Sequence, residues 1–475
     1  MLNKIVDAVN YVLWNYLAII LLIGAGIVFT LCTKFVQVRM LKDMFRIIFS
    51  KPEKKTEGRE ISGFQAFCIS AASHVGAGNI AGVAISIVTG GPGAVFWMWV
   101  TAFLGCSVSF AESTLAQIYK LPKEGGQFYG GPAYYIQNAL RKPGLAKFFA
   151  VLISITFGLI YVSVQSNTIA QSVKTAFGIN TAVTGIFAAV LTGVIICGGI
   201  TRIAKFTEKF VPVMAGIYLL SSLFIIIMNI ESVPSMFALI IHDAFSPQAA
   251  IGGGLGAVFM TGVKRGLYSN EAGEGSIPNA AASAACPHPV RQGLIHSFGV
   301  YVDTWLICSA TAFIVLLSGQ YVIGGELTGV SLVQQSLAGI YGSYAPHAIA
   351  LIIFLFAFST IIGNYYYGEV NIAFFEGCRP GVSKSAVMRK AMNIFRAGVI
   401  IMVFWGSIAE LKLIWNCADL FMGLLCITNI SAVLLLGKYV FIALEDYVSQ
   451  KKRGIIEPVF DKNIMPDKTG IYAWD

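Results

Sequence analysis

The stretch HVGAGN at positions 74–79 interrupts an apolar segment that runs from Gly63 to Val88. It begins about a dozen residues into that segment, close to the middle of a bilayer at about 1.5 Å of helix rise per residue. Glycine and asparagine weaken a helix, and the backbone groups freed by an unwound turn must bind protein, water or a solute. The purely structural alternative is a Gly-x-x-x-Gly face, formed by Gly78 and Gly82, that packs against another helix.

A bound solute is the functional interpretation of this break. The N-terminus of a half-helix attracts a carboxylate through its dipole, and the C-terminal carbonyl groups of the other half bind a small cation. A broken helix at mid-membrane therefore predicts a protein that carries a solute.

The composition is that of a membrane protein. The chain has 475 residues, of which 56% are hydrophobic and 12% are charged, whereas a soluble domain has about 25% charged residues. We expect an all-α integral membrane protein that forms one transmembrane domain in the lipid bilayer. The formal net charge is +9, but no stretch interleaves basic and aromatic residues on a polar face, so we expect no nucleic-acid partner.

Eleven apolar segments approach the roughly 20 residues that cross a bilayer. They are 16–35, 63–88, 94–118, 145–166, 181–198, 211–228, 252–270, 294–317, 345–367, 397–413 and 419–436. A second stretch rich in glycine and polar residues, at 252–276, enters from the opposite side. Two broken spans of opposite direction predict an inverted-repeat transporter. Setting 16–35 aside as a peripheral span leaves five plus five spans, in repeats 63–228 and 252–436, followed by a cytosolic tail at 437–475.

Inverted symmetry predicts that the second break lies near Met260 to Gly262, which makes Thr261 and Gly262 candidates for binding substrate. Lys264 and Arg265 would lie just below it. They would face a watery vestibule, pair with an acid such as Glu271, or extend to the membrane interface.

The basic residues predict the orientation, because cytosolic segments retain lysine and arginine. Of 33 basic residues, only Lys4, Lys174 and Lys412 lie on or beside external segments if the N-terminus is outside. We therefore expect a multi-pass protein of the cell (inner) membrane with the N-terminus outside and the C-terminus in the cytosol.

Other polar residues inside apolar segments extend the candidate set. Single hydroxyls in membrane helices usually bond their own backbone, so each serine or threonine also has a structural explanation. We expect Glu112 and Glu369 to be interfacial or gate residues. The remaining candidates lie in the fourth and ninth spans: Gln165, Asn167, Ser359, Thr360 and Asn364.

Several motifs, in order, resemble the alanine or glycine:cation symporter family. They are GAGNIAGV at 76–83, GGPGA at 90–94, GGPAYYI at 130–136, QSN at 165–167, RGLYSNEAG at 265–273, AFSTIIG at 357–363 and YYGE at 366–369. The resemblance implies a leucine-transporter-like inverted-repeat fold. It also implies transport of small neutral amino acids with sodium or, less often, protons.

Transferred residue by residue, the resemblance implies two binding sites. The substrate carboxylate would bind at Gly76, Ala77, Gly78 and Asn79, with Gln165 in the same pocket. A sodium site would combine Ser359 and Thr360 with the carbonyl groups of Ala72 and Val75.

Two positions depart from the family pattern. Asn364 stands where many members have tryptophan, and Glu274 stands where many have methionine. An asparagine would enlarge or polarise the pocket, so glutamine becomes an alternative substrate to alanine or glycine.

The sequence thus predicts a symporter that moves sodium and a small neutral amino acid by alternating access, with no cofactor apart from sodium as the coupling ion. Proton coupling is an alternative. A passive channel is a more remote one, because it would need a continuous polar pore lining. No catalytic residue is predicted, since the chain has no His-Glu-x-x-His or Gly-x-Ser-x-Gly motif.

Overall fold

The computed structural model describes residues 2–49, 61–123, 126–197, 199–246, 256–342, 344–376 and 386–474. Within these ranges the chain is almost entirely helical. The α-helices are Leu2–Val12, Ile19–Cys32, Val36–Arg39, Leu41–Ile48, Gly63–His74, Val83–Gly90, Ala94–Ile118, Pro132–Asn138, Pro143–Ile155, Val162–Phe177, Thr181–Ile196, Gly199–Met228, Val233–Ala244, Ala257–Asn270, Ile277–Ser283, Pro289–Val300, Ser309–Ser318, Gly329–Tyr341, Ala345–Phe374, Ala386–Ile408 and Leu411–Lys452.

Short segments of other structure complete the described part. Single π-helical segments are Leu13–Ala18, Gly78–Gly82, Thr156–Tyr161 and Tyr301–Cys308, and 3₁₀ turns are Ile230–Ser232 and Lys462–Ile464. The strands Leu121–Lys123 and Gln127–Tyr129 form an antiparallel hairpin in which Pro122 pairs with Phe128.

Many of these elements join into stretches suited to a bilayer. Among the described residues, eight continuous helical stretches are long and apolar enough to cross a membrane, and the bent pair Gly63–His74 and Gly78–Gly90 makes up to nine. Thr181–Ile196 is a shorter apolar helix, and Ala257–Asn270 has only 14 residues. The all-helical membrane fold is confirmed, whereas the count of eleven spans stays a prediction.

Side-chain exposure agrees with a surface that faces lipid. Large apolar side chains on the outer helices are exposed, including Val190, Leu220 and Leu435. At the centre, residues 105–118 of helix Ala94–Ile118 are all buried. Helices Ala257–Asn270, Ile277–Ser283 and Pro289–Val300 pack against this helix.

One turn differs from the prediction. The sequence places the last turn between 413 and 419, but helix Ala386–Ile408 ends earlier and helix Leu411–Lys452 begins directly after Glu410. The polar residues Lys412 and Asn416 lower the local hydropathy, but both lie inside the helix. Their side chains line a cavity instead of facing lipid.

The C-terminal segment folds back onto the helix ends. The tail predicted from 437 starts inside helix Leu411–Lys452, and the chain beyond this helix contacts residues between 117 and 141. Trp474 is largely buried, and its indole N–H donates to the Gln117 carbonyl at 2.9 Å. Arg141 pairs with Asp467 at 2.9 Å.

Candidate functional site

The first helix break lies where the sequence predicts it. Helix Gly63–His74 begins with a capping box, in which Ser62 and Gln65 exchange backbone and side-chain hydrogen bonds. The helical segment resumes at Gly78 and runs to Gly90, bent by 49° from the first half. We call this pair the first broken helix.

Side chains satisfy the backbone groups that this break frees. The Gly76 N–H donates to Asn79 Oδ1 at 2.8 Å, and the Ala77 N–H donates to Gln165 Oε1 at 2.9 Å. Gln165 comes from helix Val162–Phe177. The Gln165 side-chain oxygen thus accepts from the Ala77 N–H, which is one of the groups at which the sequence predicts a carboxylate.

Asn79 holds the break together instead of presenting a free donor. Its Nδ2 donates to Ser269 Oγ at 2.9 Å and to Asp303 Oδ1 at 2.6 Å. The absence of a side chain at Gly78 lets the turn approach Tyr268 closely, because a Cβ there would lie 3.0 Å from Tyr268 Cδ1.

The Val75 side of the break faces helix Ala345–Phe374. Thr360 Oγ1 lies 3.2 Å from the Val75 carbonyl oxygen. A Cβ at Gly363 would lie 3.2 Å from the Ala72 carbonyl carbon. The Thr360 hydroxyl also lies 3.1 Å from the Phe356 carbonyl oxygen of its own helix, and the Ser359 hydroxyl donates to the same carbonyl at 2.8 Å. The structure therefore brings Thr360 to Val75 and Gly363 to Ala72, and it directs the Ser359 hydroxyl to its own helix.

Asn364 follows Thr360 by one helical turn. The Ser73 Oγ lies 2.7 Å from Asn364 Oδ1 and 2.9 Å from Glu271 Oε1. This links the ninth predicted span to both breaks.

Asn167 has a different role from Gln165. Its Nδ2 donates to the carbonyl oxygens of Gly406 and Ala409, both at 2.9 Å. These bonds hold the end of helix Ala386–Ile408. The structure does not bring Asn167 to the break.

The second break is displaced from its predicted position, so the prediction near Met260 to Gly262 is wrong. Helix Ala257–Asn270 runs through these residues, and the chain unwinds at 271–276 before helix Ile277–Ser283. The backbone φ is positive at Glu271, Gly273 and Gly275. We call the two helices the second broken helix. Its predicted start near Gly252 lies outside the described residues.

The glycine at 262 misled the prediction because it serves helix packing. A Cβ at Gly262 would lie 2.5 Å from the Ala94 carbonyl oxygen and 2.6 Å from Trp97 Cβ. Thr261 lies against Gly90 and lines a cavity. Thr261 and Gly262 are therefore residues of the interface with helices Val83–Gly90 and Ala94–Ile118, away from the unwound turn.

Acidic side chains surround the second break. Glu112, which the sequence places at a gate or interface, is fully buried and accepts from the Gly273 N–H at 3.1 Å and from Asn429 Nδ2 at 2.7 Å. Glu271 accepts from Ser276 Oγ at 2.6 Å, and Glu274 accepts from the Tyr161 hydroxyl at 3.0 Å. Glu112 thus caps the unwound turn.

Sequence reasoning missed two of these partners, Tyr161 and Asp303. Asp303 is fully buried, and Ser269 Oγ donates to its Oδ2 at 2.7 Å. The signal for Asp303 was available, because it is a carboxylate inside the apolar segment 294–317, and ionisable residues at such depth usually mark function.

Three π-helical segments contribute side chains to the site. Gly78–Gly82 carries Asn79, Thr156–Tyr161 carries Tyr161, and Tyr301–Cys308 carries Asp303. Single π-helical turns are frequent at functional sites because they re-aim a side chain without ending the helix.

A cavity of about 530 Å³, which we call the outer cavity, opens on the side of the site near Thr89 and Leu411. Lys264 and Arg265 line it, as one of the sequence-based alternatives predicts. Arg265, however, forms its ion pair with Asp419, and Lys264 Nζ lies 4.0 Å from the same carboxylate. The alternative that they pair with an acid is therefore also confirmed, but the acid is Asp419 and not Glu271.

Aromatic rings separate this cavity from the two breaks. The Tyr268 ring lies 4.7 Å from Trp415 and 4.8 Å from Tyr161, measured between ring centroids. The Arg265 guanidinium lies 4.6 Å from the Trp415 ring, which favours a cation–π contact. The described structure is therefore closed between the outer cavity and the breaks.

The site has four walls. The two breaks form two of them, and two helix faces form the others. Tyr161 and Gln165 share one face, and Thr360 and Asn364 share the other, since residues four apart lie above one another on a helix. The Val75 carbonyl and the Ala77 N–H thus lie two residues apart in one unwound turn.

The chain matches the family described as the sodium:alanine symporter family over residues 1–462. It is 48% identical to the probable sodium/glutamine symporter GlnT of Bacillus subtilis (strain 168), with 100% of this chain and 96% of that protein covered. It is 45% identical to the amino-acid carrier protein AlsT of the same bacterium, covering 100% and 98%. It is 37% identical to the sodium/alanine symporter AgcS of Methanococcus maripaludis, covering 91% and 94%.

A solved structure shares the fold. A mutant of the Eremococcus coleocola manganese transporter is similar with a TM-score of 0.51 and 13% identity, covering 87% of this chain and 92% of that chain. At this identity the likeness concerns the fold alone, which is that of a membrane transporter.

Proposed function

The chain belongs to the sodium:alanine symporter family, and on that premise we propose that it moves a small neutral amino acid into the cell together with sodium by alternating access. It is a sodium-coupled amino-acid symporter and not an enzyme. The amino acid itself and the residues that bind it belong to the proposal.

The observation that supports this mechanism is the geometry of the first break. The Val75 carbonyl faces the Thr360 hydroxyl, while the Ala77 N–H faces Gln165. A substrate carboxylate would replace the Gln165 oxygen at Ala77, because hydrogen bonds to an ionised acceptor are stronger than those to a neutral amide. The N–H groups of Gly76 and Ala77 are therefore the proposed carboxylate site.

Coupling follows from the shared backbone. A cation held between Val75, Ala72 and Thr360 fixes the carbonyl groups of the turn, and the N–H groups two residues on are then fixed with them. The turn then loses less conformational entropy in the second binding event, so each solute favours binding of the other. Sodium, and not a proton, is the proposed cation because a carbonyl and a hydroxyl bind hard cations and do not titrate at physiological pH.

The outer cavity supplies a path to this site. We assign the outer gate to Tyr268 and Trp415, which close the cavity toward the breaks, with the ion pair of Arg265 and Asp419 beside them. Separation of these groups would open the site to one side of the membrane.

The substrate expected from the sequence is alanine or glycine, with glutamine as the alternative. The relatives support both, since one similar protein is named for alanine and another for glutamine. All of these are neutral amino acids with a free carboxylate, which is the group that the first break would bind.

We further propose that the protein lies in the cell membrane with its N-terminus outside and its C-terminal tail in the cytosol. Two broken helices, at 63–90 and 257–283, support repeats that correspond to 63–228 and 252–436. The excess of basic residues on the side of the tail supports the orientation.

Uptake into proteoliposomes tests the proposal. Purified protein is reconstituted, and labelled alanine, glycine and glutamine are offered separately with an inward sodium gradient or with potassium in its place. We expect saturable uptake of at least one amino acid that stops when a sodium ionophore removes the gradient. Uptake that ignores the sodium gradient would contradict sodium coupling, and uptake that does not saturate would favour a channel.

A further inference from the structure

Several buried polar atoms beside the breaks have no hydrogen-bond partner in the described structure, and two of them are Asn364 Nδ2 and Glu274 Oε1. Both side chains are fully buried. Each is oriented through its other polar atom, because Asn364 Oδ1 lies 2.7 Å from Ser73 Oγ and Glu274 Oε2 accepts from the Tyr161 hydroxyl. Leaving a buried polar group unpaired costs about 1–3 kcal/mol, so this pair of atoms indicates a site for a ligand.

The two residues belong to one hydrogen-bonded cluster. Ser73 contacts both Asn364 and Glu271, and the Glu274 N–H donates to the Glu271 carbonyl at 3.1 Å. The cluster therefore joins the first broken helix to the second. One atom is a donor and the other is an acceptor.

The cluster lies one helical turn away from the proposed carboxylate and sodium sites. Tyr161, which holds Glu274, precedes Gln165 by four residues, and Asn364 follows Thr360 by four. On both helices the cluster lies on the side nearer the start of the first broken helix. Thr360 contacts Val75, whereas Asn364 contacts Ser73, which precedes Val75 in that helix. One turn is about 5.4 Å.

This distance separates short from long amino-acid side chains. At about 1.5 Å per carbon–carbon bond, the methyl group of alanine ends one bond from Cα, whereas the carboxamide carbon of glutamine is three bonds from Cα. A substrate whose carboxylate binds at Gly76 and Ala77 reaches Glu274 and Asn364 only with the longer side chain.

On the basis of the proposed function, we propose that Glu274 and Asn364 form a side-chain subsite that selects a neutral amino acid with a carboxamide, glutamine above all. A carboxamide has two N–H donors and one carbonyl acceptor. Its N–H donates to Glu274 Oε1, and its oxygen accepts from Asn364 Nδ2. Both buried atoms are satisfied by one functional group.

The same chemistry disfavours charged side chains. The ammonium group of lysine has donors only, so it leaves Asn364 Nδ2 unpaired. Four buried acidic residues surround the breaks, namely Glu112, Glu271, Glu274 and Asp303. Within the described residues, none of them forms an ion pair with a basic side chain. The carboxylate of glutamate would face these acids and be repelled by them.

Competition in the wild-type protein is the first test, since it needs no variant. Uptake of labelled glutamine is measured with an excess of unlabelled glutamine, asparagine or glutamate. We expect glutamine to compete best, asparagine more weakly because it is one methylene shorter, and glutamate at least tenfold more weakly than glutamine. Equal competition by glutamate and glutamine would overturn the subsite.

Variants assign the selectivity to the two residues. We measure the ratio of kcat/KM for glutamine to that for alanine in Glu274→Met, Asn364→Leu and Glu274→Gln, with Thr428→Ala as a control whose hydroxyl bonds its own helix. We expect the ratio to fall about tenfold or more in the first two variants. Glu274→Gln, which keeps an acceptor oxygen, should retain most of it, and the control should keep the wild-type ratio. An unchanged ratio in Glu274→Met would overturn the assignment.

For variants whose uptake is too slow to measure, the ligand-induced shift in melting temperature reports binding directly. Glutamine should raise the melting temperature of the wild type more than alanine does, and this difference should disappear in Glu274→Met. Sodium-dependent alanine uptake without glutamine uptake would refute the subsite and leave the proposed function standing. Absence of sodium-dependent uptake for every amino acid would refute the proposed function itself.

Discussion

A Cβ atom at Gly76 would lie 2.3 Å from the hydroxyl oxygen of Thr360. The same atom would lie 2.9 Å from Gln165 Oε1. The unwound turn can therefore contact both neighbouring helices only because residue 76 has no side chain.

Gly76→Ala should reduce sodium-driven amino-acid uptake at least tenfold, because Thr360 and Gln165 cannot both keep their contacts with the turn. Gly216→Ala is the matched control, since a Cβ at Gly216 meets nothing within 4 Å and alanine favours a helix. Initial uptake rates per reconstituted protein check this prediction. Equal rates in the two variants would show that the turn tolerates a side chain.

Thr360→Ala should raise the sodium concentration that gives half-maximal uptake about tenfold, which corresponds to about 1.4 kcal/mol. The variant removes an oxygen that faces the Val75 carbonyl. Thr360→Ser should restore most of the sodium affinity, whereas Thr428→Ala should not change it, because its hydroxyl donates to Leu424 in its own helix. A normal sodium dependence in Thr360→Ala would place the cation elsewhere.

Asp419→Asn should destabilise the protein by about 3 kcal/mol, because it leaves the buried Arg265 guanidinium without its carboxylate partner. The double variant Arg265→Met with Asp419→Asn removes both charges, and we expect it to recover much of the loss. Melting temperatures of the purified variants in one detergent compare them. A double variant less stable than Asp419→Asn would mean that Arg265 stabilises the fold through Trp415 alone.

Trp474→Ala should lower the melting temperature. If the tail unfolds cooperatively with the helices, we expect the free energy of unfolding to fall by about 3 kcal/mol. Trp474 is largely buried and donates to the Gln117 carbonyl. Tyr472→Ala is the control, since Tyr472 is 62% exposed and such changes stay within about 0.5 kcal/mol. Similar melting temperatures for the two variants would indicate that the tail contributes nothing to stability.

The two breaks differed in how well local sequence predicted them. At 74–79, glycine and asparagine stand in the middle of a long apolar run, and the interruption is confirmed. At 252–276, glycines recur over the whole stretch. Gly262 packs against Ala94, whereas Gly273 and Gly275 adopt positive φ, and both roles require the same amino acid.

The partners of the polar residues were harder to predict than the residues themselves. Gln165 and Asn167 are two positions apart in one motif, yet Gln165 contacts the first break and Asn167 holds the end of helix Ala386–Ile408. Residues two apart point to different sides of a helix, and the neighbour on each side comes from a distant part of the chain.

Apolar segment lengths, the glycines and asparagine at 76–79 and the order of the motifs were sufficient for the membrane fold, the family and the first break. Those properties depend on the bilayer and on local backbone preferences, which each segment carries by itself. The pairing of Arg265 with Asp419, the position of the second break and the meeting of Glu274 with Tyr161 depend on which helices become neighbours. Hydrophobic periodicity cannot specify such contacts, because they follow from the packing of residues more than a hundred positions apart.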